Sequence, residues 1–193
     1  MSKPWPVDQL DPEAPLDIDA RRIVRVRIGE YYSYEPIVAD PLASSELHDL
    51  RIAAKRLRYT LEVFDDVLGP DTARQIERIK AIQEALGNLH DIDVRIALIG
   101  DELVEVTREK VAELDRALAT SHPSTYRALT TSILRPPPDA PESGLYGLLA
   151  RQHADRQAAY QQFKSLWDRF ALEGMRDDLA RLSATRITLI QPV

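Results

Sequence analysis

Residues 46–64 read ELHDLRIAAKRLRYTLEVF, and this stretch decides the fold. At about 100° per residue, Leu47, Leu50, Ala54, Leu57, Leu61 and Phe64 gather on one helical face spanning roughly 100°. That pattern marks a helix buried along one side. His48, Arg51, Lys55 and Arg58 fall together in a neighbouring strip about 80° wide. A helix with this layout sinks its leucines into a core and leaves a basic ladder at the core's edge.

The flanks carry the punctuation of further helices. Ser44 or Ser45 offers an N-cap after Pro41, and Gly69-Pro70 is a stop. Upstream, Ile18, Ile23, Val26 and Tyr31 are compatible with a helix from Asp17 to about Glu35, with Arg21, Arg22, Arg25 and Arg27 crowded in its middle. Before it, Pro4, Pro6, Pro12 and Pro15 make residues 1–16 a flexible lead-in. Downstream, Ile76, Ile79, Ile82 and Leu86 share one face of a helix over 71–86. Gly87-Asn88 either ends or kinks it, and helical pattern resumes from about His90 to Ala119. His122-Pro123 and Pro136, Pro137, Pro138 and Pro141 define a Pro-rich connection over about 122–144. Helices follow at 145–172 and 175–183, and a tail at 186–193 contains the strand-like ITLI with no evident partner. Five or six helices without a sheet signal predict an all-α helical bundle occupying residues 17–185.

Composition narrows the chemistry. The chain has 193 residues, 44% of them apolar, enough for one real core. Its formal net charge is −6, the wrong sign for coating nucleic acid over a whole surface, so any anion site must be local. Cysteine is absent, which removes disulfides, thiolate nucleophiles and cysteine–zinc sites. The N-terminus lacks the apolar run of a signal peptide, and no window approaches the roughly 18 apolar residues of a spanning helix. A cytoplasmic protein that does not engage a membrane is expected.

Residues three and four apart on a helix are neighbours, about 5–6 Å between Cβ atoms. Four chargeable groups at that interval repel one another, and a polyanion lying along them removes the repulsion while accepting charge-assisted hydrogen bonds. A basic strip is ordinarily a solvated face, balanced here by 31 acidic residues. This one differs in running unbroken over three turns with Glu62 as its sole acid at helical spacing. Arg56 points away and reads as ordinary surface. His90-Asp91 invites comparison with metal-dependent phosphohydrolases, but the further His and Asp ligands such a site needs are missing. Asp91 and Asp93 fit better at a helix N-terminus, with Arg95 as a partner. Tyr31, Tyr32, Tyr34 and Trp167 read as packing. No phosphate-binding glycine loop is present.

The 47–64 stretch, followed by IKAIQEALGNLHDIDV at 79–94, closely resembles the conserved-histidine α-helical domain, CHAD. The resemblance rests on His48, Arg51, Lys55, Arg56, Leu57 and Arg58, then Gln83, Leu86, Gly87 and Asp91, with Ile82 in a leucine position. It implies a helical domain that binds inorganic polyphosphate through basic residues on inward-facing helices, with no catalysis and no cofactor or metal. Carried over residue by residue, the binding set is His48, Arg51, Lys55 and Arg58, with Lys80 one turn before Gln83 and with Arg22 and Arg25 on the preceding helix. The family commonly has two related halves about a pseudo-twofold axis, whereas this chain shows one full copy of the motif pair. A homodimer would rebuild the pair; the alternative is a degenerate second half at 145–185. The competing functions are a helical adaptor for an acidic protein or RNA surface, which the scarcity of exposed aromatics disfavours for RNA, and the metal phosphohydrolase at His90-Asp91.

Overall fold

The computed structural model describes residues 3–135 and 140–184. Within them the chain is all-α, with seven α-helices and no strand: α1 (Leu16–Tyr32), α2 (Ser44–Val63), α3 (Asp65–Leu68), α4 (Thr72–Thr120), α5 (Tyr126–Leu134), α6 (Pro141–Leu172) and α7 (Met175–Ser183). The expected tail at 186–193 and Pro136 to Pro138 lie outside the described residues. The described residues within 1–90 and 159–193 form one compact unit, and those within 91–158 form a second.

Three boundaries differ from the sequence pattern. Neither Gly87-Asn88 nor Gly100 interrupts α4, which runs for 49 residues. A glycine inside a helix costs about 1 kcal/mol relative to alanine, too little to break a helix held by packing on both sides of it. Helix α2 is flanked by Ala43 rather than by a serine N-cap, because Leu47 already donates to the Ala43 carbonyl at 2.8 Å. Helix α6 begins at Pro141, four residues before Leu145; proline suits a first turn, where its missing N–H would have no partner. Inside the connection expected over 122–144, residues 126–134 form α5.

In the first unit, α1, α2 and the first part of α4 are arranged around a leucine-rich core. Leu50, Ala54, Leu57 and Leu61 of α2 are fully buried, as are Val24 of α1 and Ile79 of α4. Each such large side chain contributes on the order of 1.5–3 kcal/mol. Glu30 of α1 meets Arg56 of α2, and Arg21 of α1 meets the Val67 carbonyl of α3, so α1 and α2 run antiparallel. Tyr31, buried, packs with its ring centroid 5.3 Å from that of Trp167 of α6 and edge-to-face at 5.0 Å from Tyr32. Burial raises the Tyr31 hydroxyl well above its ordinary pKa, keeping it neutral. The α6–α7 turn passes through Gly174 at φ 74°, a left-handed conformation that glycine adopts without a Cβ clash. Arg78 of α4 ties that turn down through Glu173 (2.6 Å) and Asp178 (3.0 Å).

In the second unit, the later part of α4 and the early part of α6 form an antiparallel hairpin. Asp93 pairs with Arg156 at 2.5 Å, Arg95 donates to Gln152 at 2.8 Å, and Lys110 meets Glu142 at 2.8 Å. Asp93 therefore pairs across the hairpin from mid-helix instead of completing a helix start, a consequence of the unbroken α4. Among its described residues this unit buries Ile92 and Gln152, while Leu98, Val104, Val111 and Tyr146 are more than half exposed.

Candidate functional site: a basic strip on helix α2

The face of α2 that is not buried carries His48, Arg51, Lys55 and Arg58 in line, three turns of side chains produced by the 3-4-3 spacing. Its upper end rests on α4. His48 Nδ1 lies 3.2 Å from His90 Nδ1, with ring centroids 4.3 Å apart. One proton between the two nitrogens makes a hydrogen bond; two would set donor against donor. Burial, then His90 and Arg51, lower the His48 pKa below its ordinary value, which favours the neutral imidazole.

Arg51 comes next. Its Nε stands 3.6 Å from where a Cβ at position 87 would be, so Gly87 supplies the space beside the guanidinium. Among the described residues, the buried atoms Arg51 Nε, Arg58 Nε and Gln83 Oε1 have no hydrogen-bond partner. Among the described residues neither Arg51 nor Lys55 has a carboxylate within ion-pair distance, and Arg58 reaches Glu62 only at 3.7 Å. Tyr59, nearly half exposed, lies under both Arg58 (4.6 Å) and Lys55 (5.7 Å).

The pairs 48–90 and 51–87 fix α2 antiparallel to the first part of α4. Lys80 is half-buried and, among the described residues, has no carboxylate within ion-pair distance. The strip is thus a row of Arg51, Lys55 and Arg58 led by His48, with His90 and Gly87 of α4 beside its upper end.

Arg22 and Arg25 stand elsewhere. Arg22 pairs with Asp19 at 3.1 Å and donates to the Gln9 carbonyl, while Arg25 donates to the Ser183 carbonyl at 2.8 Å. Their helix meets α2 at Arg56, about 120° around from the middle of the strip. Arg56 is not ordinary surface: with Arg27 it neutralises buried Glu30, both at 2.5 Å. Glu30 sits on another helix, out of reach of a spacing argument.

Sequence reasoning missed the partnership of His48 with His90 and the place of Tyr59 in the strip. Spacing does carry the second, since Lys55 and Tyr59 are one turn apart. The first needs the register of two helices separated by 42 positions. Among the described residues, no group of three or more His, Asp or Glu side chains is placed to hold a metal ion. No described helix is long and apolar enough to cross a membrane.

Comparison with protein families matches residues 8–100 to the model described as the CHAD domain. The comparison with curated proteins gave no match, and neither did the comparison with solved structures.

Proposed function

Residues 8–100 are a CHAD domain, and on that premise we propose that the α2 strip binds inorganic polyphosphate, laid lengthwise along His48, Arg51, Lys55, Arg58 and Lys80. The observation that carries this reading is that Arg51 and Lys55 stand in line with no carboxylate of the described chain to neutralise them. Charged side chains left this way seek an external anion, and a repeating one fits their one-turn interval. We place Arg22 and Arg25 outside the rail, because both already donate to groups of their own chain. The role is binding without catalysis: the rail supplies donors and positive charge, and His90 faces His48 rather than a set of carboxylates.

The test is binding of long-chain polyphosphate to the full chain and to the R51A/K55A/R58A variant. Three charge-assisted contacts at about 1.5–3 kcal/mol each predict a loss of at least about a thousandfold, with helical circular dichroism unchanged. Undiminished binding by the variant would overturn the assignment. Tyr59 gives the RNA-adaptor alternative one foothold, since an exposed ring between cations can stack a base. Single-stranded RNA competing as well as polyphosphate, at equal phosphate concentration, would favour that alternative.

We further propose that two chains pair through the second unit. Its exposed Leu98, Val104, Val111 and Tyr146, set against so little buried apolar surface, support association with a second copy.

A further inference from the structure

A cavity of about 360 Å³ opens in the first unit where α4 begins, lined in part by Arg21, Asp71, Arg74, Gln75, Asp178 and Arg181. It involves none of the residues of the α2 rail. Arg21 is 3% exposed, yet among the described residues it has no carboxylate partner. Its guanidinium donates to the Leu182 and Val67 carbonyls, and among the described residues its buried Nε–H has no acceptor. A buried cation is ordinarily paired.

The charge around the cavity is unbalanced. Asp178 is shared by Arg74 (3.7 Å), Arg78 (3.0 Å) and Arg181, and it also accepts from Gln75 at 3.2 Å. Of the described lining groups, three arginines face two aspartates. Two helix ends meet at this place, with opposite polarity. The carbonyls that end α7 are engaged, Leu182 by Arg21 and Ser183 by Arg25. The start of α4, with its positive end, opens on the cavity.

From these observations we propose that the cavity is a second anion site, taking one compact phosphate oxyanion between Arg21, Arg74 and Arg181. The anion balances the surplus positive charge and gives the Arg21 Nε–H an acceptor. Phosphate chemistry has two sources here, a free orthophosphate ion or the terminal group of a polyphosphate, and the site is independent of whether the α2 rail binds polyphosphate.

The experiment uses the full chain carrying R51A/K55A/R58A, so that the three α2 cations of the rail are removed. Calorimetric titrations with orthophosphate and with tripolyphosphate are run at constant ionic strength. The expected result is one saturable site per chain for at least one of them. Adding R74A/R181A, at two exposed rim positions, weakens it tenfold or more. The single variant R181Q serves as the second probe should the double change disturb folding, and it weakens binding in the same direction. Saturation by orthophosphate assigns the free ion; saturation by tripolyphosphate alone assigns the chain end. No saturable binding of either, or binding unchanged in both cavity variants, overturns the proposal.

Discussion

Two residues, His48 in the strip and Gly87 beside it, have consequences that single substitutions can read. His48 is held below its ordinary pKa by burial, by His90 and by Arg51, so folding favours its neutral form. The sign follows: its contribution to stability is complete above the unfolded value of about 6.5 and is lost as pH falls through the lower folded value. Denaturant unfolding of H48Q should therefore fall less between pH 7 and pH 5 than that of the parent. A bound polyanion favours the protonated imidazole, so polyphosphate affinity should rise over the same interval in the parent and stay flatter in H48Q. Gly87 gives a second reading. A Cβ there would make ordinary contact with Arg51, so G87A should bind as the parent does; the longer G87L side chain would displace the guanidinium and weaken binding with helicity kept. At this scale the sequence was legible for the rail itself, because periodicity along one helix is local. The partners of His48, Arg51 and Arg56 lie on other helices and needed the fold.

Helices in this protein are held by what they meet as much as by what they contain. Apolar periodicity located α2 and its buried leucines, and L57A should cost about 2–5 kcal/mol in urea unfolding because Leu57 is fully buried. The same periodicity could not say whether α4 stops at Gly87, since a mid-helix glycine is tolerated when tertiary contacts continue past it. That single ambiguity displaced Asp93 from an expected helix start to a cross-hairpin pair with Arg156. Between α1 and α2, buried Glu30 holds Arg27 and Arg56 together. Removing the acid by E30A leaves two arginines facing each other beside an apolar core, and breaking such an arrangement costs about 3–5 kcal/mol. Loss of under about 1 kcal/mol in equilibrium unfolding would show that solvent already screens these arginines.

On the scale of the whole molecule, an acidic chain carries a local basic strip, and this contrast governs how it meets its partners. Net charge −6 forbids indiscriminate polyanion coating, which is what the composition alone indicated. The family likeness added the ligand class, which neither charge nor periodicity contains. The second unit was the least legible part: its Pro-rich segment hid α5, and the exposure of Leu98, Val104 and Val111 depends on what the hairpin does not bury. Light scattering should give twice the 21.8 kDa chain mass, and V104E/V111E should return it to the single value. A parent that is already monomeric at high concentration would rule out the pairing. The central claim, that the rail on α2 is an external-anion site, is tested most directly by polyphosphate affinity measured against salt. With four permanent cations on the rail, log K should fall with log salt at a slope of about −3, by analogy with single-stranded nucleic acid. The R51A/K55A/R58A variant, which keeps only Lys80 of these cations, should bind weakly with a slope reduced to about −0.7. An affinity that ignores salt, or a variant that keeps both the affinity and the slope of the parent, would contradict the account.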